Sequence, residues 1–146
     1  MPRKQSSKKT QQETTQKYIE AIGRRKTSVA RVRLLMPETV KSNYKILINN
    51  KPLEEFFKEK KYITTVLAPL KLVNKFFNFS IKTVGGGITG QAEAIRLGIS
   101  RCLLSVDPKL RPALKGAGFL TRDPRMVERK HPGKRKARRP QQWRKR

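Results

Sequence analysis

One cysteine, one histidine and only ten carboxylates in 146 residues leave little with which to build a reaction centre. The lone cysteine, Cys102, excludes an internal disulfide and a Cys-rich zinc site, and it suits a reducing compartment. It falls on the apolar face of a helical pattern, so it reads as a small core residue rather than a nucleophile. His131 has no second histidine with which to form a metal pair, and it sits among cations, which argues against a triad. The carboxylates stand mostly at helix starts or beside Lys and Arg. The chain therefore reads as a non-enzyme with no cofactor and no metal. No apolar run approaches the ~18 residues of a membrane span. The start, Met1-Pro-Arg-Lys-Gln-Ser-Ser-Lys-Lys9, lacks the apolar stretch of a signal peptide. Its basic, Ser/Thr-containing character is compatible with part of an organelle transit peptide, but Gln11, Gln12 and Gln16 leave no amphipathic face. No lipidation motif accompanies the basic C-terminus, so a membrane partner is not expected.

What is abundant is positive charge: 36 Lys and Arg give a net +26. Residues 129–146 hold ten Lys or Arg and no acid. Like charges at this density repel, and too little apolar area is present to offset chain entropy. Such a segment orders against a polyanion. Extended, its 18 residues reach about 60 Å at ~3.3 Å each. Residues 18–121 still carry 19 basic against 7 acidic residues, a balance that self-repulsion makes unfavourable without a counter-polyanion. The length suits one domain with tails: a disordered basic extension over 1–17, an α+β domain over 18–121 and an extended polycationic tail over 122–146.

Within the domain, Tyr18–Ile22 and Ser28–Leu35 read as strands around the basic turn 23–27. Ala30, Val32 and Leu34 face one way, Arg31 and Arg33 the other. Pro37 ends the second strand. Lys45–Ile48 forms a third, closed by Asn49-Asn50. Pro52 opens a helix whose Glu54 and Glu55 complement its positive end. The stretch 60–76 is ambiguous, because Tyr62–Leu67 is β-rich and Pro69 breaks the pattern; helix is the preferred reading. Phe77, Phe79, Ile81 and Thr83 alternate with Asn78, Ser80 and Lys82 as a fourth strand. A long helix follows to about Val106, with Ala92, Ile95, Ile99, Cys102, Leu103 and Val106 on one face and Glu93, Arg96, Ser100 and Arg101 away from it. Asp107-Pro108 opens a short helix ended by Gly116 or Gly118. The expectation is a four-stranded sheet packed with two or three helices.

Gly85-x-Gly87-x-x-Gly90 follows a strand and opens a helix, as in dinucleotide-binding folds. The rest of that fingerprint fails: Asp107 stands at a helix end before Pro108, and no second parallel strand follows. Gln91 and Ala92 stand where a phosphate-binding NTPase loop needs Lys and Ser/Thr. Two readings of the loop remain, backbone amides of Gly86 and Gly87 holding an RNA phosphate or a plain tight turn. Arg24, Arg25 and Lys26, Arg31 and Arg33, and the block Lys134, Arg135, Lys136, Arg138 and Arg139 are expected to lack nearby acids. The prevalence of Arg favours bidentate phosphate contacts. Trp143 either stacks on a base or ribose or packs on its own neighbours. A free-standing basic protein that compacts chromatin or RNA shares this charge but needs no α+β core.

Five motifs in order, Gly23-Arg-Arg-Lys-Thr-Ser-Val-Ala-Arg-Val32, Gly85-Gly-Gly-Ile-Thr-Gly-Gln-Ala-Glu-Ala-Ile-Arg-Leu-Gly98, Gly118-Phe-Leu-Thr-Arg-Asp-Pro-Arg125, Val127-Glu-Arg-Lys130 and Arg135-Lys-Ala-Arg-Arg-Pro140, resemble the small-subunit ribosomal protein nine family. The resemblance spans residues 18–146 and leaves 1–17 outside. It is closest in wording to the bacterial and plastid branch; the 85–98 helix favours a plastid, with a bacterial cytoplasm as the alternative. It implies a domain in the head of the small subunit, beside neighbouring ribosomal proteins, with a left-handed β-α-β crossover. It further implies that the cations above, with Arg122, Arg125, Arg129 and Lys130, bind ribosomal RNA, and that the C-terminus reaches peptidyl-site transfer RNA. That end usually reads aromatic-Ser-Lys-Arg. Lys145 and Arg146 match, Trp143 stands for Tyr or Phe, and Arg144 replaces Ser, adding charge while removing a hydroxyl.

Overall fold

Period-two alternation organises the sheet, and the computed structural model, which describes residues 18–35 and 44–143, shows five strands. β1 (Tyr18–Arg25) and β2 (Ser28–Leu35) form an antiparallel hairpin. β3 (Ile46–Ile48) and the two-residue β4 (Lys51–Pro52) form a second. β5 (Asn78–Val84) lies antiparallel to β2 and parallel to β3, giving the order β1-β2-β5-β3-β4. The expected four-stranded sheet is thus corrected to five, because Asn49 and Asn50 both adopt positive φ and fold Lys51–Pro52 back onto β3. Paired Asn at these positions is the chemistry of a two-residue hairpin turn. β1 also runs three residues past the expected Ile22, so Arg24 and Arg25 belong to a strand and only Lys26 and Thr27 turn the chain.

Four α-helices complete the domain among the described residues. α1 (Leu53–Phe56) is a single turn after Pro52, and α2 (Lys60–Val73) carries Pro69 inside it, so Pro69 does not break the element. α3 (Ile88–Val106) spans the sheet, and α4 (Arg111–Gly116) follows a 3₁₀ turn over Pro108–Leu110. α3 packs on β1 and β2, with α2 against α3. Ala30, Val32, Leu34, Phe79 and Ile81 meet Ala92, Ile95, Ile99, Cys102 and Leu103 in one core. Ser100, expected on the outer face, is buried, its hydroxyl donating to the Arg96 carbonyl. Val106, expected on the core face, is exposed at the helix end. Phe119 and Leu120 are the last apolar side chains packed on this core among the described residues.

The approach of β1 to α3 is closest at Gly23. A Cβ there would stand 1.8 Å from the Ala94 carbonyl oxygen and 2.6 Å from the Gly98 nitrogen. Backbone meets backbone, so no side-chain adjustment can make room. This close contact brings the nearby Arg25, two residues on, within reach of Glu93 on α3.

Beyond α4 the chain has no helix or strand among the described residues apart from an isolated antiparallel bridge between Lys134 and Pro140. The Arg135 N–H donates to the Arg139 carbonyl at 2.9 Å, so the tail turns back over 134–140 rather than running extended throughout. The 1–17 extension, Pro37 and the terminal Arg144, Lys145 and Arg146 lie outside the described residues.

Candidate nucleic-acid interface

Among the described residues, helices cover only one face of the sheet. Tyr18, Glu20, Ile22 and Arg24 on β1, Val29, Arg31 and Arg33 on β2, and Ser80, Lys82 and Val84 on β5 alternate with the buried residues and share the other face. Its cations outnumber its one acid, Glu20. That carboxylate accepts from Arg33 Nε at 2.8 Å and lies 3.2 Å from Arg31 Nε. The Arg33 guanidinium also stacks on Tyr18, 4.8 Å from the ring centre. The hydrogen bond to Glu20, with Tyr18 beside it, raises the pKa of Arg33 further. Both guanidiniums stay accessible, with side chains 54% and 40% exposed.

The basic run at the β1–β2 hairpin divides by strand alternation. Arg24 faces outward and Lys26 sits at the tip with φ +50, and neither side chain has a protein partner among the described residues. Arg25 points inward, its side chain only 12% exposed. Its Nε donates to Glu93 on α3, its Nη2 lies 3.0 Å from the Asp123 carboxylate, and its Nη1 donates to the Arg125 carbonyl at 2.6 Å. Arg25 therefore joins the hairpin, α3 and the start of the tail. The expectation that these cations lack nearby acids is corrected here: the acids are remote in sequence and arrive by folding.

Asp123 is itself a node. The Arg125 side chain and backbone N–H both donate to it, and with the Arg25 charge they hold it well below the usual carboxylate range. The Arg125 pKa is raised in return, chiefly by Asp123. Glu128 plays the corresponding part further along, accepting from Arg138 Nε at 2.9 Å and lying 3.5 Å from His131. Arg122, Arg129, Lys130, Lys134, Arg135, Lys136 and Arg139 are exposed, with no acidic partner among the described residues. Trp143 is exposed as well.

The glycine loop is bound tightly to the hairpin. Ser28 Oγ and Gln91 Nε2 both donate to the Gly85 carbonyl at 3.1 Å, and a Cβ on Gly86 would meet Ser28 Oγ at 2.0 Å. Close packing thus accounts for Gly86. Gly87 faces open space as the N-cap of α3, a helix with no side-chain cap and no acid in its first turn. Cys102 is fully buried, its Sγ 3.5 Å from the Val32 carbonyl, and burial pushes the thiol up to about 12. Sequence reading missed Lys82 and Asn50 as site candidates. Lys82 looks like one outward residue of an alternating strand, and only the sheet register brings it beside Arg31.

Comparison with known proteins gives the family. The family model described as Ribosomal protein S9/S16 matches residues 23–146. The small ribosomal subunit protein uS9 of Amoebophilus asiaticus (strain 5a2) is 50% identical over 132 residues, which cover 88% of this chain and 98% of that protein. The chain belongs to the ribosomal protein S9/S16 family, a structural and non-enzymatic one.

Proposed function

We propose that this member of the ribosomal protein S9/S16 family is a structural constituent of the small ribosomal subunit that binds ribosomal RNA in the subunit head. Its C-terminus then reaches peptidyl-site transfer RNA. Small-subunit ribosomal RNA and neighbouring ribosomal proteins are the partners that family membership implies. One observation carries the RNA reading. Among the described residues six of the eight acids, all but Glu54 and Glu59, stand in ion pairs, while a larger set of outward-facing cations has no acidic partner. Arg24, Lys26, Arg31, Arg33, Arg122, Arg129, Lys130, Lys134, Arg135, Lys136, Arg138 and Arg139 are the phosphate-contacting set in this reading. Arg25 and Arg125 support it from within by fixing where the tail leaves the domain. Gly86 and Gly87 offer main-chain amides at the α3 N-terminus.

Arg144, Lys145 and Arg146 serve transfer RNA. Phosphate contacts fix position without reading sequence, so every transfer RNA is held alike. The left hand of the crossover from β3 through α2 to β5 belongs to the same family-based reading. So does the compartment: the wording of residues 85–98 favours a plastid ribosome, with the bacterial cytoplasm as the alternative.

The test is co-sedimentation. The full chain should stay with small subunits through sucrose gradients at moderate salt, and recovery mainly on DNA would defeat the reading. Deleting residues 144–146 should leave subunit assembly intact and lower peptidyl-site affinity about equally for several transfer RNAs in filter binding. Unchanged affinity for all of them would remove the transfer-RNA role.

A further inference from the structure

We propose that the uncovered sheet face holds a phosphodiester of RNA between Arg31 and Lys82, with Asn50 and Ser80 as neutral donors and Val29 and Val84 as the seat for the adjoining ribose. The inference rests on the RNA-binding reading above and assigns it a place and a set of residues.

The register of β2 and β5 sets Arg31 directly opposite Lys82. Two cations facing each other across strands destabilise a sheet, since their Cβ atoms stand only about 5 Å apart. Among the described residues nothing neutralises both. Glu20 lies on the β1 side and engages Arg31 through Nε, and Lys82 has no ion pair among the described residues. An anion from outside, shared by the two, removes the repulsion.

The surroundings have the shape and chemistry for one. A groove of roughly 520 Å³ is lined by Arg31, Arg33, Asn49, Asn50, Ser80 and Lys82. Asn49 is spent on the fold: its amide donates to the Thr83 carbonyl at 3.1 Å and accepts from the Thr83 N–H at 3.0 Å. This pins the β3–β4 turn against β5. The next residue, Asn50, is exposed, sits at φ +66 and keeps its side-chain amide free of protein partners among the described residues. Ser80, half-buried beside Arg33 in the register, has a hydroxyl with no protein partner there either.

On the other side of the Arg31–Lys82 pair the lining changes to Val29 and Val84, which form a smaller hollow with the same two cations. Both valines are exposed. A bare inorganic ion has no use for that apolar wall, whereas a nucleotide presents a sugar next to its phosphate. A phosphodiester therefore matches both halves of the site. Its charge meets Arg31 in the bidentate geometry guanidinium offers and Lys82 as a point charge.

Salt-dependent binding of the full chain to small-subunit ribosomal RNA tests this. Lys82→Ala should weaken binding several-fold and flatten the log Kd against log salt slope by about 0.7–0.9, one phosphate's counterions. Arg31→Ala should do the same, and the double variant should lose little more than either single one, because both contact a single phosphate. Lys82→Ala should also raise the thermal midpoint of the free protein by relieving repulsion. Lys115→Ala, on α4, removes equal charge away from the sheet and should leave the slope unchanged. An unchanged slope for Lys82→Ala, equal flattening by Lys115→Ala, or fully additive losses from Arg31 and Lys82 would overturn the site. If the wild-type chain binds the RNA while any of these results is found, the RNA reading survives without this site. If the wild-type chain does not bind, both fall.

Discussion

The two faces of the β1–β2–β5 sheet are built from alternate residues of the same strands, and they differ in almost every property. One is closed by α3 and filled with Ala30, Val32, Leu34, Phe79 and Ile81. The other is open and carries Arg24, Arg31, Arg33 and Lys82 among exposed valines. Adjacent residues of one basic run are therefore assigned to different tasks by strand alternation alone. Arg24 is available to a partner, and Arg25 is occupied within the fold. Counting cations along the chain cannot make that distinction; knowing which face each occupies can.

The covered face should break most readily at Gly23. Gly23→Ala puts a methyl within 1.8 Å of the Ala94 carbonyl, and both neighbouring groups are backbone. Overpacking of this kind should lower stability by about 3 kcal/mol, read as a fall in the urea midpoint at unchanged slope. Retained stability would show that β1 can lift away from α3. The RNA salt dependence of whatever fraction remains folded should be that of the parent.

Arg25→Ala comes next. It leaves Glu93 and Asp123 without their shared guanidinium, and a charge-assisted pair of this kind contributes about 2 kcal/mol. The figure belongs at the modest end because both carboxylates remain about 30% exposed. Tryptic cleavage after Arg122 and Arg125 should accelerate, since the tail loses its tether. Arg25→Lys should recover little, because an ammonium cannot span two carboxylates and a carbonyl as a fork does. Unchanged stability with a flattened RNA salt slope would place Arg25 with the outward cations instead.

Acid should loosen the same tether more gently. Asp123 has a lowered pKa in the folded chain, so its contribution is complete above the unfolded carboxylate value of about 3.9 and is lost progressively as pH falls from there through the lowered folded value. Asp107, lowered by the Lys109 N–H and then by Lys75, follows the same sign. NMR order parameters for residues 122–128 should therefore hold down to about pH 4 and fall only in stronger acid, as pH drops through the lowered folded value. Order already lost at about pH 4, where the folded Asp123 is still ionised, would show that its carboxylate does not hold this segment.

Much of the fold was legible because it follows periodicity. The alternation of Ala30, Val32 and Leu34 and the 3.6-residue spacing from Ala92 to Leu103 both give the buried face directly. Local chemistry misled where a residue's context was tertiary. Pro69 looks like a breaker, yet it is buried within α2, where packing outweighs the missing N–H. Ser100 looks like a surface hydroxyl, yet it bonds its own helix carbonyl and needs no water. The site was legible as a list of cations and illegible as a surface. The partners of Arg25 lie 68 and 98 positions away in the chain, and the pairing of Arg31 with Lys82 depends on a register that no local pattern encodes.

The smallest effect on stability is expected at the outward positions of the hairpin, where the comparison of faces is sharpest. Arg24→Ala removes an exposed side chain with no protein partner, so stability should move by no more than about 0.5 kcal/mol, while the RNA salt slope should flatten by about 0.7–0.9. Lys26 adds a second lever. At φ +50 it holds a left-handed conformation that disfavours any residue with a Cβ. Lys26→Gly relieves that strain but enlarges the freedom of the unfolded chain, and the two terms leave a net gain of at most about 1 kcal/mol. RNA affinity should fall all the same, because the ammonium is gone. Stability and binding would then move in opposite directions at a single residue, as expected where strain is kept in order to present a charge. Thermal melts of the free protein and salt titrations with ribosomal RNA measure the two quantities separately. A Lys26→Gly chain that is more stable and binds RNA with an unchanged slope would show the hairpin tip to be solvent-facing, and Arg24 alone would then carry the edge of the interface.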